Sequence, residues 1–315
     1  MSSSSELAQV QRPASEETAW LTQRERGALL GIRAVFWLAT VLGRAPMRQF
    51  MRLIALWYFA FDARLRAVSR DYLTRLHGRP VRAHEVYGHL LRFARVTLDR
   101  AFLLLGRRGT FVVKSTGHHH LEQLTQARQG AVLLGAHLGS FEAMRAGAAK
   151  DHLPLNIVGH FENARMINAL LERLDPSKAA RVLHVGKDPF GFAMSVSERL
   201  ANGELVAILA DRVGLNDKQT EVSFLGSRAS FPTGPFLLAS LLKCPVYLVF
   251  GLYFEPNRYE LFCEPFAERI ELPRARRAAA LTEVVQRYAD RLEHYTRLAP
   301  DNWFNFYHFW KSEQS

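Results

Sequence analysis

The chain has 315 residues, 48% of them hydrophobic and 23% charged, with a formal net charge of +11 and two cysteines. That balance excludes disordered, collagen-like and disulfide-stapled classes, and the length suits one α/β domain or at most two. The charge is lopsided: residues 24–108 hold 17 Arg, no Lys and 5 acidic residues, a local excess of +12, so the remainder is close to neutral.

Residues 1–23 are polar and Ser-rich, with no apolar centre and no small-residue cleavage site. They predict a flexible polar N-terminus without a signal peptide, and hence a cytoplasmic origin. Residues 24–108 interleave Arg with Phe36, Trp37, Trp57, Tyr58, Phe59, Phe61 and many aliphatic residues. Exposed Lys and Arg with a few stacking aromatics would suit nucleic acid, but this stretch is too apolar and carries no recognisable nucleic-acid motif. A spanning helix needs about 20 apolar residues. The best run, Leu29 to Leu42, is shorter and contains Arg33, and Arg44, Pro46, Arg48 and Arg52 interrupt the next apolar stretch. The region therefore predicts amphipathic helices lying on an anionic membrane, peripheral or monotopic, on the cytoplasmic face of the inner membrane. The bland alternative is helices packed on the core of their own domain.

From residue 109 strands and helices alternate. An amphipathic stretch near 84–105 precedes a strand at 111–114 and a short helix from about 119. Strands follow at 131–136, 155–159, 181–185 and 205–210. Asn163 caps one helix, and Asp188-Pro189 opens another that stops at Asn202-Gly203. After a loop come a helix at 233–243, a hairpin-linked strand pair, "VYLVFGLYF" and "RYELFCEPF", and a long closing helix at 274–298. This order predicts an α/β fold, a mixed sheet with helices on both faces, with residues 109–315 as the catalytic domain behind an N-terminal amphipathic helical arm.

The chemistry centres on "AVLLGAHLGSFEAMRAG". His137 falls where a buried strand ends, Ser140 is placed to cap the next helix, and Glu142 lies in its first turn. A carboxylate there can fix the imidazole tautomer and stabilise the imidazolium formed when His137 takes a proton. With the acceptor hydroxyl as nucleophile, no enzyme nucleophile is needed. Cys244 and Cys263 sit in apolar, strand-like runs and read as buried thiols of a reducing compartment. His118, His119 and His120 are consecutive, so they cannot all face one ion, and no ligand at the right spacing completes a zinc site. The terminal aromatics from Trp303 to Trp310 suit either acyl-chain or membrane contact or core packing. No serine-hydrolase elbow, dinucleotide fingerprint or Walker A pattern occurs.

In the succession "RERGALLGIR", "LLGAHLGSFEA", "NIVGHFENARMINALLERL", "ILADRVG", "SFLGSRASFPTGPFLLASLLKCPVYLVFGLY" and "NWFNFYHFW", nearly the whole chain resembles the lysophospholipid acyltransferase superfamily. The branch is that of the lipid A biosynthesis acyltransferases, in a subgroup some of whose members occur with aryl-polyene or pigment genes. The resemblance implies a glycerolipid acyltransferase-like fold and an acyltransferase with His137 as general base and Glu142 as its acidic partner. It also implies Arg165, Asp211 and Arg212, with Thr233 and Gly234 at a helix start, as substrate-binding residues. The implied donor is a thioester of acyl carrier protein or coenzyme A, the acceptor is a lipid or glycolipid, and no other cofactor is needed. The alternative is a non-catalytic lipid- or nucleic-acid-binding protein that uses the basic arm.

Overall fold

The computed structural model describes residue 38 and residues 41–104, 106–151, 153–159, 181–184, 188–214 and 218–310. Arg165 and the expected cap Asn163 lie outside them. The arginine-rich stretches form helices α1 (Arg44–Phe61), α2 (Ala63–His77) and α3 (Ala83–Leu104). Asp62 separates the first two, its carboxylate accepting from the Leu65 amide at 2.8 Å as a helix N-cap. Gly78 closes α2 in the left-handed region at φ 64°.

The alternating part supplies strands β1 (Val112–Thr116), β2 (Ala131–Gly135), β3 (Leu155–Gly159), β4 (Arg181–His184) and β5 (Leu205–Leu209). Further along lie β6 (Gln219–Phe224), β7 (Ser227–Pro232), β8 (Val246–Phe254) and β9 (Arg258–Ala267). The remaining helices are α4 (His118–Gln126), α5 (Phe141–Lys150), α6 (Pro189–Ala201), α7 (Gly234–Leu242) and α8 (Arg277–Leu298). Both expected caps form: Ser140 Oγ accepts from the Ala143 amide at 3.1 Å, and Asp188 Oδ1 from that of Phe190 at 3.0 Å.

Seven strands make one mixed sheet in the order β1-β9-β8-β2-β5-β3-β4. The β8–β9 hairpin is antiparallel and the other pairings are parallel. Strand β2 is buried throughout, as its unbroken apolar run requires of a central parallel strand. On one face Val132, Leu134, Val206, Ile208 and Phe250 pack with Tyr288, Leu292 and Tyr295 of α8 and Phe236 of α7. On the other, Ala131, Leu133, Leu205, Ala207 and Val249 meet Leu121 and Leu124 of α4 and Phe141 and Met144 of α5. The expected α/β class, with helices on both faces, holds.

The stretch between β5 and α7, expected as a loop, instead forms an antiparallel β6–β7 hairpin. Its tight turn is Leu225-Gly226, with φ 51° and 76°. Such a turn normally advertises itself with Asn-Gly or Asp-Gly, and leucine in the left-handed region hides it.

Helices α1 and α3 are joined to the sheet. Met47 and Met51 share a core with Phe102, Tyr253 and Tyr259. Arg44 holds Asp99 through two 2.8 Å bonds, and Arg48, Arg92 and Arg95 converge on Glu255 at the β8–β9 turn. Much of the positive charge in this region is therefore spent inside the fold.

Candidate active site

Parallel strands β2 and β5 run in register, Ala131 opposite Leu205 and Gly135 opposite Leu209. The Ala210 amide continues the ladder to the Gly135 carbonyl at 3.0 Å. Each strand then spends one alanine before a polar residue, so His137 and Asp211 come side by side at the carboxyl ends of the central strands. Open α/β sheets present their ligand-binding crevices at that edge.

The contact is close. His137 Nδ1 lies 2.8 Å from Asp211 Oδ1, and the His137 amide donates to Oδ2 at 3.0 Å. Oδ2 also accepts from Trp303 Nε1 at 3.0 Å and Asn305 Nδ2 at 3.1 Å. Asp211 is fully buried, and these four donors satisfy it. A carboxylate can only accept, so Nδ1 carries the proton and Nε2 is left with a free lone pair. The His137 side chain is 29% exposed, so that lone pair can be reached from outside.

Burial, and after it the charge of Arg212, push the imidazole below its ordinary value, against the pull of Asp211. Burial alone would raise the Asp211 carboxyl, but the adjoining imidazole and Arg212 carry it below its ordinary value. The pair rests as neutral histidine and ionised aspartate. A neutral imidazole with a fixed tautomer and an open Nε2 is equipped to take a proton from a bound hydroxyl.

The expectation that Glu142 meets the imidazole is corrected here. Its carboxylate pairs with Arg100, Oε1 lying 2.5 Å from Nη2. Asp211, expected only to line the site, holds Nδ1 instead. The reason is register: neighbouring parallel strands align their ends, whereas Glu142 turns with the first turn of α5 toward α3.

The terminal segment completes the site. Its aromatics are core, with Trp303, Phe304, Phe309 and Trp310 all buried. The Phe304 amide donates to the His137 carbonyl at 2.9 Å, and the Gly139 amide to the Asn302 carbonyl at 2.8 Å. Gly139 has φ 73°, and a Cβ there would stand 2.0 Å from the Gly251 carbonyl oxygen, so only glycine fits the turn behind His137. Arg212 donates to Asn305 Oδ1 at 2.5 Å and to the Phe304 carbonyl at 2.9 Å. Sequence reasoning gives no site role to Trp303, Asn302, Asn305 or Arg100. The two asparagines interrupting an aromatic run are the available signal, because polar residues inside a core segment need partners.

Thr233 and Gly234 do begin α7. However, both the amide and the hydroxyl of Thr233 donate to the Lys218 carbonyl at 2.9 Å, away from the His137 cluster. An apolar cavity of about 60 Å³ runs beneath α5, lined by Leu133, Phe141, Met144, Ala148, Val249 and Leu261. Phe141, at one end of it, is four residues from His137.

No curated protein matches the chain. A family model described as bacterial lipid A biosynthesis acyltransferase matches residues 17–312.

Proposed function

Since the chain belongs to the bacterial lipid A biosynthesis acyltransferase family and is thereby an acyltransferase acting on a lipid acceptor, we propose that His137 and Asp211 are its general base and orienting carboxylate. Membership in that family sets aside the non-catalytic binding alternative. In this reading the donor is an acyl thioester of acyl carrier protein or coenzyme A. His137 Nε2 removes the proton of an acceptor hydroxyl or amine as its oxygen or nitrogen attacks the thioester carbonyl. The tetrahedral intermediate collapses, the carbon–sulfur bond breaks, and the leaving thiolate takes the proton from the imidazolium. Asp211 stabilises that imidazolium and fixes its orientation.

The observation that carries this reading is the buried, fully satisfied Asp211 on Nδ1 opposite a solvent-reachable Nε2. The acyl chain suits the cavity beneath α5, whose lining is hydrocarbon on every side of Ala148. Arg212 serves through its charge on His137, and Arg165, Thr233 and Gly234 are kept as substrate-binding proposals on the family resemblance. The setting is the cytoplasmic face of the inner membrane, with a lipid, glycolipid or pigment-type acceptor. The test is release of free thiol from acyl carrier protein and coenzyme A thioesters by purified protein, with extracted lipid as acceptor. Turnover by the wild type and its loss in His137→Ala is the expected result; equal turnover by both would remove His137 from the reaction.

A further inference from the structure

Helix α1 has two apolar faces, and only one of them is used by the fold. Met47, Met51 and Ala55 are buried against α3 and the β8–β9 hairpin. On the opposite side Phe50, Leu53, Leu56, Trp57 and Phe61 follow each other at helical spacing and stay between 42% and 74% exposed. Leu42 continues the stripe before the helix begins, at 52% exposed. Its ring-bearing end is a joined surface: Trp57 packs edge-on against Tyr58 at 5.0 Å and against Phe61 at 5.7 Å. Monomeric proteins seldom leave so continuous an apolar surface in water. No charged side chain interrupts the stripe, while Arg52 on its flank and Arg64 and Arg70 on α2 are exposed.

We infer that this face of α1 is a docking surface for an anionic lipid bilayer, and that α1 lies in the plane of the interface rather than crossing it. Length and attachment both argue for the in-plane position. Eighteen residues give a helix about 27 Å long, and among the described residues no helix is long and apolar enough to cross a membrane. The other side of α1 is tied to the domain by Arg44 on Asp99 and Arg48 on Glu255, so it cannot enter hydrocarbon without breaking buried ion pairs. Charge chooses the occupant: cations beside an apolar stripe match lipid phosphates, with Trp57 and Tyr58 at headgroup depth. Because α1 is locked to the sheet, docking also fixes the orientation of the whole domain over the membrane.

The inference concerns attachment and its test contains no turnover, so it stands or falls apart from the proposed chemistry. Single cysteines are placed at Gln49, Phe50, Arg52, Leu53, Leu56, Trp57 and Ala60 of the full chain and labelled with an environment-sensitive fluorophore. The native Cys244 and Cys263 are buried, the latter thiol pushed up to about 12, so the label goes to the new site. Vesicles of phosphatidylglycerol and phosphatidylethanolamine should shift the emission with helical periodicity, strongly at Leu53, Leu56 and Trp57 and weakly at Arg52. Brominated acyl chains should quench the same positions. Trp57→Glu with Phe61→Glu should lower vesicle partitioning by about tenfold or more while circular dichroism is unchanged. No shift with vesicles in a monomeric protein would mean that another part of the chain covers the stripe, and would overturn the inference. So would a dimer that Leu53→Glu dissociates while vesicles have no effect.

Discussion

His137 Nδ1 and Asp211 Oδ1 lie 2.8 Å apart although 74 positions separate the residues in the chain. The contact follows from two strands of equal length whose ends are level, so the geometry of a parallel ladder does the work a local motif was expected to do. One end of the carboxylate anchors the ring; the other is held by Trp303 and Asn305. The aspartate thus joins the imidazole to the terminal segment of the chain.

Asp211→Asn should abolish most transfer while leaving the protein folded. Asparagine keeps the shape but can present its amide NH₂ to Nδ1, which moves the imidazole proton to Nε2 and removes the base. A loss of about 100- to 10,000-fold in turnover number is expected, similar to that of His137→Ala. Glu142→Gln should cost less, because its side chain contacts Arg100 rather than the ring. Steady-state rates with circular dichroism check both, and a Glu142→Gln defect as deep as that of Asp211→Asn would return the orienting role to Glu142.

The pH profile follows from the imidazole. Its folded value is depressed by burial and by Arg212, so the base form persists below the ordinary histidine range. The rising limb of kcat/KM should therefore lie below pH 6.5. Removing the Arg212 charge, as in Arg212→Met, should move that limb to higher pH. A limb already at or above the ordinary value in the wild type would contradict the electrostatics described for the site.

What was legible in the sequence is what local patterning encodes. The apolar runs, the Ser140 and Asp188 caps, the β8–β9 pair and the position of His137 at a strand end all come from neighbouring residues. "AVLLGAH" and "LVAILAD" even share their length and their penultimate alanine. Reading His137 onto Asp211 from them requires knowing that the two strands are adjacent, parallel and in register, which no local spacing states. Glu142 was the nearer carboxylate and won on proximity alone. The β6–β7 hairpin escaped because Leu225 occupies a backbone region that leucine rarely adopts, and Asn305 because an aromatic run reads as packing.

A second histidine supports the site from behind and sets a stability prediction. His89 is buried, with Nδ1 2.8 Å from Ser69 Oγ and Nε2 3.0 Å from the Trp303 carbonyl. A carbonyl only accepts, so Nε2 carries the proton and Nδ1 receives the serine hydroxyl. Burial lowers its value from 6.5 to about 4. The unfolded chain therefore takes up this proton first as pH falls. The neutral ring imposes no penalty above about pH 6.5, and stability is lost progressively between 6.5 and 4, by roughly 3 kcal/mol at about 1.36 kcal/mol per unit. Urea midpoints at about pH 7 and about pH 4.5 should converge less steeply in His89→Gln than in the wild type. Parallel acid sensitivity in the two proteins would show that His89 is not the group responsible.

The last prediction tests where the acyl chain goes. Ala148 faces the cavity beneath α5, opposite Leu133 and Val249 and beside Leu261. The same helix passes close to the sheet here: a Cβ on the neighbouring Gly147 would lie 2.8 Å from Leu261 Cδ1. There is little slack for the lining to retreat, and an added isobutyl group at position 148 has to enter the empty space. Filling a cavity with hydrocarbon is neutral or stabilising when the shape fits, and costs about 1–3 kcal/mol when it overpacks, so Ala148→Leu should still fold. If the distal end of the chain occupies this space, the variant must discriminate by length. Each excluded methylene forfeits about 0.8 kcal/mol of transfer energy, so kcat/KM should fall for long-chain thioesters and hold for short ones. His137 is untouched, and turnover number with short donors should match the wild type. A uniform loss across all lengths would place the acyl chain elsewhere and leave the cavity as a packing defect of the α5 face.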